Sequence, residues 1–150
     1  MKKYSIIAGV VVSFLVIGFI SIEMIKRKKA SQYEATAVPY LKMVVPELSK
    51  WDPEIIKSYM TSQSLQGTSE EKLVTIVSYL SKLGNLERME DPEFSQVDVV
   101  RTNDYSETNI VTYKIDAQYE NGDAVISIGL LDQGGSFRIH NFNFNSEVLK

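Results

Sequence analysis

The pattern of apolar and polar positions changes character three times along the chain. Residues Tyr4 to Ile22 form an uncharged, almost wholly apolar run, preceded by Lys2 and Lys3 and closed by Glu23 and the basic cluster Lys26, Arg27, Lys28 and Lys29. A helix of about 19 residues rises roughly 28 Å, close to the roughly 30 Å hydrocarbon core of a bilayer, so the run is long enough for one crossing. Ser5, Ser13 and Ser21 are too few to give it the polar face of a core helix. From Ala30 to Ser49 the apolar residues Tyr33, Ala37, Leu41, Val44, Val45 and Leu48 recur at helical spacing, and Pro39 and Pro46 are expected to bend or interrupt that helix. Asp52 before Pro53 is an N-cap signal and opens a short second helix through Ile55, Ile56 and Tyr59. The capping box Thr68-Ser69-Glu70-Glu71 opens a third through Leu73, Ile76, Val77, Leu80 and Leu83, which Gly84 ends.

Beyond Asn85 the period becomes two. Val111, Tyr113, Ile115, Ala117 and Tyr119 alternate with Thr112, Lys114, Asp116 and Gln118, which predicts a long strand with one buried and one wet face. Asn121-Gly122 predicts a hairpin into a strand carrying Ala124, Ile126, Ile128 and Leu130, and Gln133-Gly134-Gly135 turns the chain again. In the last strand Phe137 and Ile139 share one phase, Phe142 and Phe144 the other, so a bulge is expected near His140 and Asn141. Leu86 to Met89 and Gln96 to Thr102 read as two further strands separated by Asp91-Pro92.

The first run is expected to stay attached. Signal peptides have shorter apolar regions and end in a small-x-small site, whereas Phe19, Ile20 and Ile22 put bulky residues at the exit. The chain has no cysteine for lipid attachment, which leaves the helix itself as the anchor, with Tyr4, Ile6, Val10, Phe14, Ile17, Phe19 and Ile22 facing lipid. Lys26, Arg27, Lys28 and Lys29 are expected at the headgroups. Counting basic residues at the two ends favours a domain in the cytoplasm, while the three residues before the span resemble an uncleaved signal-anchor that exports its carboxy-terminal domain. Export is the reading adopted, which places the protein at a bacterial inner membrane with its domain outside the cytoplasm. Residues 1–29 are then an anchor and 30–150 one domain, since about 120 residues support a single core.

Composition narrows the chemistry. A net charge of −3 with the only basic cluster beside the membrane argues against nucleic acid as a partner. One histidine and no cysteine leave no metal-ligating motif and no expected cofactor. The acidic stretch from Glu87 to Glu93 lacks the oxygen spacing of a calcium loop, and Gly134-Gly135 precedes no helix that would make it a phosphate loop. His140 with Asp116 or Asp98 is the one candidate acid-base pair, and Asp116 alternates with apolar neighbours and so faces solvent.

Three helices followed by a long antiparallel sheet resemble the NTF2-like, or cystatin-like α+β, superfold. The local likeness is the stretch from Val45 to Glu54, similar to a kinked first helix and Trp-Asp turn in small bacterial members. The resemblance implies helices packed on a curved sheet as a cone. Trp51, Tyr59, Tyr79, Tyr113 and Phe142 would line its interior, either as core or as a site for a small apolar ligand. It also implies dimerisation through the outer sheet face, to which strand phase assigns Thr112, Lys114, Val125, Ser127, Arg138 and His140. A membrane helix before such a domain is similar in layout to VirB8-like secretion components. The expectation is therefore an α+β, single-pass, non-catalytic binding or assembly domain. Its expected partners are the bilayer and either a second copy or another membrane-complex subunit. The alternatives are a ligand-binding or acid-base NTF2-like enzyme and a VirB8-like component.

Overall fold

The computed structural model describes residues 2–101 and 104–150, with side chains from residue 20 onward. It is α+β: helices α1 (Lys2–Leu48), α2 (Pro53–Tyr59), α3 (Ser62–Gln66) and α4 (Glu70–Leu80) precede five antiparallel strands, β1 (Leu86–Met89), β2 (Glu93–Arg101), β3 (Glu107–Tyr119), β4 (Gly122–Asp132) and β5 (Phe137–Asn145). The chain divides into a unit of Met1–Glu34 and a unit of Ala35–Lys150.

The first unit is helical from Lys2, and the basic cluster Lys26 to Lys29 lies exposed on that helix. Among the residues whose side chains are described, no helix is long and apolar enough to cross a membrane. The anchor positions Tyr4, Ile6, Val10, Phe14, Ile17 and Phe19 lie outside them, and Ile22 is exposed.

In the second unit, Pro39 and Pro46, expected to bend or interrupt the helix, do not interrupt α1. Each proline withholds one donor from the carbonyl four residues back. Those carbonyls belong to Ala35 and Lys42, both exposed residues, while Ala37, Leu41, Val44, Val45 and Leu48 stay buried. Among the described residues there are four α-helices, against the three expected after the apolar run. The extra one, α3, is a single capped turn in which Thr61 Oγ1 accepts from Ser64 N. Asp52 caps α2 as expected, its side chain accepting from Glu54 N ahead of Pro53. The cap of α4 is Ser69, which accepts from Lys72 N, so the reciprocal box predicted from Thr68 does not form. A 3-10 turn, Ser81–Leu83, then ends at Gly84, whose φ of 80° is the left-handed value glycine tolerates.

The sheet runs β1-β3-β4-β5, and β2 joins the same side of β3 as β1. β1 pairs with the end of β3 from Ala117 to Tyr119, β2 with its first part from Glu107 to Lys114. One broken edge strand thus covers one long strand. The β3–β4 hairpin forms one residue earlier than Asn121-Gly122 predicts: Tyr119 pairs with Gly122, and Glu120-Asn121 is the loop. Asn121 is not among the residues with positive φ, so the primed turn that favours Asn-Gly is not the one used. The expected bulge in β5 is present: Gly129 faces Asn141 and Leu130 faces Ile139, which leaves His140 as the extra residue. It lets Phe137 and Ile139, then Phe144, reach the same buried side.

The core fills the inner face of the sheet with Tyr113, Ile115, Tyr119, Ile126, Ile128 and Leu130, all at most 2% exposed. The segment around the end of α1 packs on this face through Tyr40 on Phe137, and through Trp51 on Tyr119 and Phe144, each pair with ring centroids 5.6–5.7 Å apart. Trp51 adopts φ 56°, a costly conformation for a bulky residue. Its indole Nε1 donates to Gly84 O at 2.8 Å, and the two ring contacts hold it there.

Candidate functional site: the open face of the sheet

Alternation along β3 and β4 gives the sheet a second, polar face. Lys114 of β3 stands opposite Ser127 of β4, Asp116 opposite Val125 and Thr112 opposite Gly129. On β5, Asn143 faces Ser127 and Asn145 faces Val125. Thr112, Lys114, Val125 and Ser127, four of the six residues assigned to this face by strand phase, are therefore brought together there. Lys114 is exposed, Val125 is 41% exposed, and Thr112 and Ser127 are half-buried.

Arg138 and His140 are not part of that group. Arg138 pairs with Leu131 near the far end of the sheet, and its guanidinium donates to Ser58 O at the end of α2. His140 is the bulge residue; its carbonyl accepts from Ser64 Oγ, and its Nδ1 is buried with no hydrogen-bond partner among the described residues. Arg138 keeps the phase of the open face, opposite Leu131, and is apart from the group only by its distance along the sheet, whereas the bulge takes His140 out of the regular alternation.

One end of the open face is hollowed. A depression of about 510 Å³ lies between Arg88, Glu90, Asp116, Asp123, Val125 and Glu147. Arg88 Nη2 and Glu90 Oε1 are 2.8 Å apart, and Glu147 pairs with Lys150. Asp116 and Asp123 add two further carboxylates, so the hollow favours cationic over anionic groups. Among the described residues no group of three or more histidine, cysteine or carboxylate residues is placed to hold a metal ion.

The five aromatic residues expected inside a cone are not gathered round one cavity. Tyr113 is in the core, edge-on to Phe94 at 5.9 Å. Trp51 sits half-buried against Tyr119 and Phe144, and Phe142 meets Phe144 at 6.0 Å. Tyr59 lines a separate shallow recess with Tyr40 and Arg138. Tyr79 is 44% exposed on α4, with Lys82 Nζ 4.6 Å from its ring centroid. Periodicity put Tyr79 inside, but it falls between the buried stripes of Val77 and Leu80.

Sequence reasoning passed over Tyr119 as a polar group. Its hydroxyl shares a 2.8 Å hydrogen bond with Ser49 Oγ, which in turn donates to Val45 O at 2.8 Å. Burial pushes the Tyr119 phenol up to about 12, against the lowering effect of the Ser49 bond. The Tyr40 phenol is also raised, by burial first, then partly restored by the Arg138 charge and raised again by Tyr59.

No acid-base pair assembles. Asp98 lies on β2 and His140 on β5, three strand spacings or about 14 Å apart across the sheet. Asp116 faces Val125, whose partner on β5 is Asn145, five residues from His140. Among the described residues nothing indicates catalytic activity. No family model, curated protein or solved structure matches the chain.

Proposed function

We propose that this chain is a single-pass, membrane-anchored, non-catalytic assembly domain of the NTF2-like type, held at a bacterial inner membrane with the α+β domain on the extracytoplasmic side. The observation that carries the reading is that the uncharged run Tyr4 to Ile22 lies within the unbroken helix α1, flanked on both sides by lysines. Ile20, Ile22, Met24 and Ile25, where the described side chains begin, are each more than half exposed. Four exposed apolar residues on consecutive turns suit a lipid environment better than water. Helices preceding a bulged antiparallel sheet with one face uncovered support the NTF2-like comparison, and Thr112, Lys114, Val125 and Ser127 give that face a mixed polar surface of the kind that assembles reversibly.

The test is alkaline carbonate extraction of membranes from cells expressing the full chain. Wild type is expected in the pellet. Val10→Asp with Phe14→Asp should release it, since each charge near the middle of a span costs about 2.5–3.5 kcal/mol. A wild-type chain freed by carbonate defeats the anchor. Alkaline phosphatase fused after Lys150 is expected to be active, and inactivity alongside a working cytoplasmic reporter reverses the orientation.

A further inference from the structure

Strand β2 has one partner. It pairs with β3 along its length, and among the described residues no strand pairs with its other side. Its outward backbone donors and acceptors therefore form an open edge nine residues long. Lysine and proline, two common guards of such an edge, are absent from β2; its charges are Glu93, Asp98 and Arg101, and its one bulge, at Ser95, leaves Gln96 to Arg101 regular. Val99, near the middle of its regular part, is 65% exposed.

We propose that two copies of this chain pair antiparallel through β2, about a two-fold axis passing beside Val97. The inference deepens the assembly reading by naming the partner as a second copy, and it rests on that reading for the claim that the domain assembles. A two-fold axis normal to the sheet keeps each face on its own side, so residues opposed across the junction must belong to the same face. Register with β3 fixes those faces. Phe94, Val97 and Val99 oppose Tyr113, Val111 and Asn109 on one; Gln96, Asp98 and Val100 oppose Thr112, Ile110 and Thr108 on the other; Ser95 is the bulge residue between them.

Centring the axis on Val97 sets Val97 against its own copy and Gln96 against the copy's Asp98, twice. With Ser95 as the extra residue, Phe94 falls beside the copy's Val99, also twice. The buried face of the junction becomes an apolar ladder and the open face two amide–carboxylate pairs. The chemistry of those pairs already exists within one strand, where Gln96 Nε2 donates to Asp98 Oδ2 at 2.6 Å. Sliding the axis to Asp98 opposes two carboxylates, which is repulsive. Sliding it to Val99 opposes Val97 to Arg101 and Asp98 to Val100. Of these three registers, the one centred on Val97 pairs like with like on both faces and separates the charges.

The chain has no cysteine, so single-cysteine variants report the junction cleanly. Val97→Cys, Asp98→Cys and Val99→Cys are made in the full chain and oxidised in membranes and in non-ionic detergent, then separated without reductant. Directly opposed residues bring their Cβ atoms to about 4.5–5.5 Å, near disulfide range, so Val97→Cys is expected to give about tenfold more dimer than either neighbour. Dominant cross-linking at Asp98 or Val99, equal cross-linking at all three, or none at any overturns the proposal. In light scattering, Val99→Lys is expected to return the unoxidised chain from twice its 17.0 kDa mass to the single mass with an unchanged circular dichroism spectrum. A folded variant that keeps the doubled mass also overturns it. The cross-link is scored separately from carbonate extraction. A chain that pellets without cross-linking defeats the edge alone, and one that cross-links but is released defeats the anchor alone.

Discussion

Replacing Tyr119 by Phe removes one oxygen from a well-packed position and is expected to change stability in opposite directions at neutral and alkaline pH. At pH 7 the variant loses the hydrogen bond to Ser49, whose hydroxyl keeps Val45 O as its acceptor. No buried group is orphaned, so the loss is about 1 kcal/mol. The folded-state phenol is raised from 10.0 to about 12 by burial. A raised value means that the stability it contributes is complete below the unfolded value and is lost as pH rises towards the folded one. The wild type therefore gives up about 1.4 kcal/mol by pH 11 and about 2.3 kcal/mol by pH 12 relative to a chain that cannot ionise there. The two stabilities should meet near pH 11 and then cross, with Tyr119→Phe the more stable above it. Urea unfolding of the full chain in non-ionic detergent from pH 7 to 12 measures this through the fluorescence of Trp51, the only tryptophan, whose ring centroid is 5.6 Å from that of Tyr119. A variant that stays below wild type by a constant margin over the whole range refutes the argument.

One substitution and one deletion test the turn and the bulge that shape the sheet. Gly84→Ala puts a Cβ 2.9 Å from both Glu120 Cβ and Glu120 Oε2 at a φ of 80°, and should cost about 2 kcal/mol in the same unfolding assay. Deleting His140 removes the bulge, throws Phe142 and Phe144 into the opposite phase and should abolish the near-ultraviolet circular dichroism of the aromatic cluster around Trp51; a retained spectrum refutes the role given to the bulge.

The elements best legible in the sequence are those where one local signal and the hydrophobic phase agree. Asp52-Pro53 caps α2, Gly84 ends the turn after α4, and the alternation from Val111 to Tyr119 is the buried face of β3. The phase conflict between Ile139 and Phe142 located the bulge at His140 because only an extra residue reconciles two apolar phases in one strand. Long-range packing decided the rest. Pro39 and Pro46 read locally as breaks, yet the buried stripe from Ala37 to Leu48 holds the helix through both. Asn121-Gly122 reads as the turn, but pairing of Tyr119 with Gly122 moves the loop back by one residue. Trp51 carries no sequence sign of a left-handed backbone, which results from its bond to Gly84, 33 residues away. At the candidate face, Thr112, Lys114, Val125 and Ser127 followed from phase alone, whereas Arg138 and His140 answer to Ser58 and Ser64, partners no periodicity reveals.

The opposite margin of the sheet bears on how far assembly through strands can extend. There Met60 forms a parallel bridge to Ile139, Thr61 N donates to Ile139 O at 2.9 Å, and Ser64 Oγ donates to His140 O. A sheet with two open margins adds copies without limit, whereas one whose second margin is plugged by its own chain is stoppered. Under the proposed pairing, β2 takes up a nine-residue margin in each copy. With Ile139 and His140 already occupied by their own chain, the proposed pair would meet a brake at that margin against growing into a ribbon.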